Sequence, residues 1–295
     1  MHPERRRRTA ALAELAEHEQ WELLYQRLML QEFPYEARMG WQLAFLRTFS
    51  SPRMAELLVG TGQLIGHTRK RANDTGLMIY EIVHGGFDSP RTRQAISGIN
   101  RAHRPLPLLE EDLTYVLCAF IVTPLRHIER VGWRAVTEAE RESAVLFFGH
   151  LGRLMNIAVV PATYAEAVRL YDAYENAHVG PSSAAHRLAE ELVAVLEVMQ
   201  PWVSRPLAAP VFTLLLGDRR ISHALGLWVP SVFAERVTRV VLRAYGQIKR
   251  QSRPDDATKV FTPGMAVEGV YPHGYRLSDL GAPDLRSGAP DEPSS

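Results

Sequence analysis

Apolar residues recur along this chain at the three- and four-residue spacing of amphipathic helices, and β-branched alternation over several residues is scarce. The pattern predicts helices over 10–32, 35–49, 53–64, 73–84, 90–103, 110–129, 137–155, 163–177, 184–199, 206–216 and 230–250. Several boundaries have a chemical reason. Phe33-Pro34 closes the first segment, because the residue before proline avoids the helical region. Ser50-Ser51-Pro52 and Ser89-Pro90 read as helix starts, with proline in the first turn where its missing N–H costs nothing. Thr137-Glu138-Ala139-Glu140 is a capping box, in which side chain and backbone satisfy each other reciprocally. The expected fold is all-α, a single-domain bundle of about ten helices with an irregular C-terminal tail.

The chain divides into a leading helix or N-terminal arm (1–26), a helical domain (27–250) and a tail rich in Pro, Gly and Asp (251–295), read as loop and partly disordered. Lys plus Arg number 34 against 33 Asp plus Glu, so no global field favours nucleic acid as a partner. The local run Arg5 to Arg8 reads as a solvated terminus, and Glu14, Glu17 and Glu19 deny it a following apolar segment of the signal-peptide kind. The uncharged run from Leu113 to Leu125 is shorter than the ~20 residues that span a bilayer, so it is expected to be a buried helix. One cysteine, Cys118, allows no internal disulfide and no multi-cysteine metal site. A cytoplasmic location is the expectation, with peripheral membrane contact as an additional possibility.

The chemistry concentrates at the start of one helix and the end of the next. Thr75, Met78, Ile79, Ile82 and Val83 form an apolar stripe at helical spacing, and Arg71 extends it backwards. Arg71, Asp74 and Thr75 would then offer a guanidinium, a carboxylate and a hydroxyl at one end of an inward face. Two readings stand side by side: a polar cluster aimed into the core, or a helix cap in which Arg71 pairs with Asp74 at the surface. In the following helix Ile96, Ile99 and His103 share a face, so His103 points inward from the last turn. Periodicity alone leaves it either a hydrogen-bonded core histidine or a ligand.

In order along the chain stand Arg47-Thr48-Phe49, Gly62-Gln63, Arg71-x-x-Asp74-Thr75, Tyr80-Glu81-Ile82, Gly86-Phe87-Asp88-Ser89 and Ile99-Asn100-Arg101-Ala102-His103. Pro124-Leu125-Arg126, Arg130-Val131-Gly132-Trp133-Arg134 and Met155-Asn156-Ile157 follow, with Tyr271-Pro272-His273-Gly274-Tyr275 and Leu280-Gly281 in the tail. With these motifs the chain resembles the MpaB-type oxygenases, whose wider relatives include the bacterial latex-clearing proteins. The resemblance implies an all-α fold around one non-covalent haem b, with His103 as the axial ligand to iron and O2 as co-substrate. Arg71, Asp74 and Thr75 match the Arg-x-x-Lys-Thr motif beside the distal face in latex-clearing proteins, with Asp74 in place of the lysine. That replacement implies a distal position not capped by an amine. The glutamate base of latex-clearing proteins has no counterpart in register; Glu56 is nearby and takes no role. The implied reaction is oxidation of a hydrophobic, isoprenoid-like or secondary-metabolite olefin, with cleavage of a carbon–carbon double bond. Fungal members are anchored in the endoplasmic reticulum, whereas no anchor segment is visible in this chain.

Arg126 and Arg130, one turn apart, are candidates for the haem propionates or for a surface salt-bridge face. Cys118 lies among apolar neighbours without the glycines of a thiolate-ligand loop, so it reads as a buried free cysteine. A rival enzyme reading is a di-iron carboxylate bundle, since Glu81 with His84 and Glu175 with His178 form two Glu-x-x-His pairs. A non-enzymatic reading is a helical module that stores a hydrophobic ligand.

Overall fold

A computed structural model describes residues 1–62, 68–198 and 205–281, with the side chains of 196–198 and of 205 and 206 left aside. Gln63 and the ends of the helices expected at 53–64 and 184–199 lie outside the described residues, as does the stretch 282–295 expected to be disordered. Among the described residues the fold is all-α, with thirteen α-helices.

The expected single helix over 10–32 is instead two, α1 (Pro3–Glu17) and α2 (Trp21–Arg27), the latter running on through a π-helical turn, Leu28–Glu32. Glu19 breaks them, with φ at +54° and the Gln20 N–H bonded back to the Leu15 carbonyl at 2.9 Å. This is the stop usually written with glycine, and its absence hides the break in the sequence. The reversal lets Leu12 and Leu15 close on Leu24.

Helices α3 (Pro34–Thr48), α4 (Pro52–Gly60), α5 (Thr68–Gly85) and α6 (Pro90–His103) follow, the last starting at the expected Ser89-Pro90. The centre of the molecule is α7 (Glu110–Val131), which carries the apolar run expected to be buried and packs against α3, α8 (Glu138–Leu154) and α9 (Tyr164–His178). Cys118, Ala119, Val122, Leu125 and Ile128 on α7 are fully buried. At the start of α8 the capping box forms, with Thr137 accepting from the Glu140 N–H and Glu140 accepting from the Thr137 N–H at 2.8 Å.

The chain then forms α10 (Ser183–Val198), α11 (Arg205–Leu216), the short α12 (Arg219–Ala224) and α13 (Val232–Gln251). Beyond α13 the backbone is irregular, as expected, yet through Gly281 it belongs to the core. Val260, Phe261, Tyr275 and Leu280 are buried, and Phe261 stacks on Tyr80 with 4.7 Å between ring centres. No helix among the described residues is long and apolar enough to cross a membrane.

Candidate functional site

Helices α5 and α6 form an antiparallel hairpin whose turn passes through Gly86 in a left-handed conformation (φ +67°) and is fixed by the Phe87 N–H donating to Glu22 at 2.9 Å. Arg71 and His103 stand at equal sequence distance on either side of Phe87, so the hairpin brings the start of α5 beside the end of α6. The two side chains do meet electrostatically. Burial pushes the His103 imidazole below the ordinary histidine range, and the nearby Arg71 guanidinium lowers it further. The ring is half-buried, and among the described residues no hydrogen bond or ion pair reaches it. The Arg71 Nε is buried without a hydrogen-bond partner. A neutral imidazole with unbonded nitrogens therefore stands near a guanidinium with an uncommitted buried N–H at the open end of the hairpin.

Asp74 and Thr75, expected beside them, are differently engaged. Asp74 is fully buried and both its oxygens are occupied. Oδ2 accepts from Lys70 Nζ at 2.7 Å and from the Gly281 N–H at 3.0 Å, and Oδ1 accepts from the Tyr271 hydroxyl at 2.6 Å. The expected Arg71–Asp74 pair is corrected to Lys70–Asp74, the i,i+4 neighbour. Thr75 donates its hydroxyl to the Arg71 carbonyl at 3.0 Å, which leaves its oxygen free only to accept.

The reason is a shift of the buried stripe. Ile82 and Val83 are buried as expected, but ahead of them the inward face of α5 runs through Asp74, Leu77, Tyr80 and Glu81, while Thr75, Met78 and Ile79 are half-buried. The tail covers the shifted face. Tyr271 donates to Asp74 and Tyr275 donates to Glu81, each at 2.6 Å, and the 3-10 turn Leu277–Asp279 rests on α6. Burial raises the Glu81 carboxyl, but the Arg91 fork and the Tyr275 phenol outweigh it and hold the group below the carboxylate norm.

Arg126 and Arg130 are placed elsewhere. They line a half-open cleft of about 160 Å³ with Arg47, His127, Tyr171 and Asp218, and His103 is not part of its wall. Arg126 is taken by Asp172 (3.1 and 3.2 Å), and Arg130 donates to the carbonyls of Leu215 and Leu214 at 2.7 and 3.0 Å. The structure does not bring this pair together with His103, and the salt-bridge reading fits Arg126. Glu56 is exposed on α4. Cys118 is fully buried, and burial pushes its thiol up to about 12, which makes it a core thiol rather than a thiolate.

The two Glu-x-x-His pairs are also accounted for. Glu81 is held by Arg91, and Glu175 accepts from Arg47 twice at 2.8 Å and from the Tyr115 hydroxyl at 3.0 Å. Among the described residues no three His, Cys, Asp or Glu side chains come together as a metal site. Lys70 and Tyr271 as partners of Asp74, and Tyr275 as a partner of Glu81, were not expected from the sequence. The i,i+4 spacing of Lys70 and Asp74 was a usable signal; the tyrosines' long-range pairing left none.

Residues 37–248 match the family model described as ER-bound oxygenase mpaB/B'/Rubber oxygenase, catalytic domain. The chain belongs to this family. It is 29% identical over 243 residues to "ER-bound oxygenase mpaB'" of Penicillium brevicompactum, a match covering 75% of this chain and 56% of that protein. It is 26% identical over 227 residues to "ER-bound oxygenase mpaB" of Penicillium roqueforti (71% and 76% covered). A further relative, "ER-bound oxygenase mpaB" of Penicillium brevicompactum, is 28% identical over 233 residues (72% and 58% covered). The chain thus spans little more than half the length of two of these relatives. Within the mpaB/rubber-oxygenase match lie Arg71, Asp74, Thr75 and His103, whereas the Tyr271 to Gly281 strap lies beyond it.

Proposed function

We propose that this chain is a haem-dependent oxygenase acting on a hydrophobic olefin, with His103 as the protein ligand to the iron. The observation that carries the reading is the pairing at the open end of the α5–α6 hairpin: an unbonded, half-buried imidazole beside a guanidinium whose Nε is buried and unsatisfied. A buried N–H without a partner costs roughly 1–3 kcal/mol, and a bound group that accepts from it would recover that cost. An unbonded imidazole beside an unsatisfied N–H supports a haem here. Burial and Arg71 keep the imidazole neutral, the state in which a ring nitrogen can donate its lone pair to a metal. Haem b, when bound, supplies the redox-active iron through which O2 reacts.

In this proposal Arg71 is the polar group that orients an oxygen-bearing ligand or substrate, because its Nε has no competing acceptor. Thr75, whose proton is spent on the Arg71 carbonyl, fixes its own side chain to the second turn of α5 and can accept a hydrogen bond. Asp74 acts as a positioning residue: through Lys70, Tyr271 and Gly281 it locks the strap against the helix that carries Arg71. The apolar neighbours Met78, Ile79 and Ile99 suit a hydrophobic substrate. The names of the relatives, which say oxygenase, support the reaction class.

The test is turnover under 18O2 of the haem-loaded protein with a panel of isoprenoid olefins, read by mass spectrometry. The reading predicts labelled carbonyl products from at least one olefin, lost in Arg71→Ala with haem retained. Binding of the same olefins without O2 consumption would favour the storage module instead.

A further inference from the structure

Helix α13 is inside out. A surface helix normally turns its apolar stripe to the core. Here Phe233, Val237, Val240, Val241, Tyr245 and Ile248 share one face and all are exposed, Phe233 by 76% and Ile248 by 66%. The face packed on the protein is polar or small: Glu235, Thr238 and Lys249 are partly buried, and Gly246 is the helix's one fully buried residue. At Gly246 a side chain would stand 2.7 Å from the Gly132 carbonyl, so α13 is held against the end of α7 at a distance only glycine permits. The seating is thus fixed, and the outward apolar face is not a helix awaiting rotation.

Along one border of that face run Arg236, Arg243 and Arg250, seven residues apart and all exposed, with Arg239 beside them. None of the four has a salt bridge among the described residues. The N-terminus adds to the same end, where the His2 N–H bonds to the Arg250 carbonyl at 3.0 Å and brings the exposed Arg6 and Arg7 near. Exposed Leu207 and Val211 on the adjoining α11, and exposed Trp228 just ahead of α13, extend the apolar character.

We propose that this face is a docking surface for an anionic phospholipid bilayer. An apolar stripe about 22 Å long can enter the acyl boundary while the flanking arginines reach the phosphates, the arrangement of a helix lying in the membrane plane. Charge complementarity selects this occupant over a second copy of the chain. Glu235, the one acidic residue of α13, is partly buried near Arg130, so a partner α13 would bring a second row of arginines and no exposed carboxylate to meet it. The surface is independent of the haem reading, and either can fail without the other.

The experiment is co-sedimentation of the full chain with vesicles of phosphatidylcholine alone or of phosphatidylcholine with one quarter phosphatidylserine. Wild type should bind the anionic vesicles and bind the neutral ones at least about tenfold more weakly, with release at high salt. Val240→Asp with Ile248→Asp, on side chains that touch little of the fold, should keep the far-ultraviolet dichroism and lose binding by about tenfold or more. Each of Arg236→Gln, Arg243→Gln and Arg250→Gln should weaken binding by about fivefold. Failure of wild type to bind the anionic vesicles overturns the proposal. So does binding unchanged in the aspartate variant, or a stable dimer in sedimentation velocity that the same variant dissociates.

Discussion

The Tyr271 hydroxyl donates to Oδ1 of Asp74 at 2.6 Å, tying a residue of the irregular C-terminal segment to the fully buried carboxylate of α5. Two turns farther along α5 the arrangement repeats, with Tyr275 donating to Glu81. Two phenols four residues apart meet two carboxylates seven residues apart. Between the phenols the strap turns, with the Gly274 N–H bonded to the Tyr271 carbonyl at 3.1 Å and Gly274 at φ +86°, which shortens the segment toward the rise of two helical turns. The strap is thus pinned at two points to the helix that carries Arg71.

Removing either phenol hydroxyl leaves a buried carboxylate short of a donor. Tyr271→Phe and Tyr275→Phe should each cost about 1.5–3 kcal/mol, the range for hydrogen bonds to charged groups. Urea unfolding at neutral pH measures this; unchanged midpoints would mean that the strap is not part of the cooperative unit.

Asp74 and Arg71 should separate in their effects. Asp74→Ala exposes Lys70, Tyr271 and the Gly281 N–H to lost partners and should destabilise the fold. Arg71→Ala breaks no side-chain bond and should leave stability within about 1 kcal/mol. In haem-free protein it should also move the His103 titration upward toward the ordinary histidine value, because one cause of its depression is gone while burial remains. Proton NMR of the imidazole follows that titration, and a static His103 resonance would deny the proximity.

Arg47 sits in the core between α3, α9 and α12, held by Glu175 and by Asp218 at 2.9 Å. Truncating one partner of a buried pair strands the other charge, so Arg47→Ala should cost about 3–5 kcal/mol. The loss should be read as a lowered unfolding midpoint rather than as an altered spectrum of the loaded protein.

His127 offers a pH test of the cleft. Burial, with Arg130 adding repulsion, holds its imidazole down to about 3, and Nδ1 has no partner. The unfolded chain takes up the proton near 6.5 and the folded chain does not, so stability is full above that value and falls as pH drops toward 3. At pH 5 the loss from this group is about 2 kcal/mol. His127→Leu should flatten stability between pH 6.5 and 4 relative to wild type; parallel curves would place the acid sensitivity elsewhere.

Much of the helical layout was legible because its signals are local. Ser89-Pro90 and the Thr137 capping box start helices where expected, and the run from Leu113 to Leu125 is buried in α7. The break at Glu19 was hidden because a non-glycine residue holds the left-handed position, and α12 is only six residues long, capped by Asp218. At the site, the hairpin made the approach of Arg71 and His103 readable from spacing. The engagement of Asp74 was not, because its partners Tyr271 and Gly281 lie about two hundred residues away in a segment without periodicity. The inverted polarity of α13 was equally hidden, since a stripe in sequence does not say which way the helix faces.

Whether His103 holds the iron is decided most directly by the visible spectrum of purified His103→Ala beside wild type. Both proteins should be produced with haem in excess and compared at equal far-ultraviolet dichroism. A strong Soret band is expected in wild type and its loss in the variant, with the helical signal unchanged. A variant that keeps full haem content and an unaltered spectrum would contradict the assignment of the iron to His103.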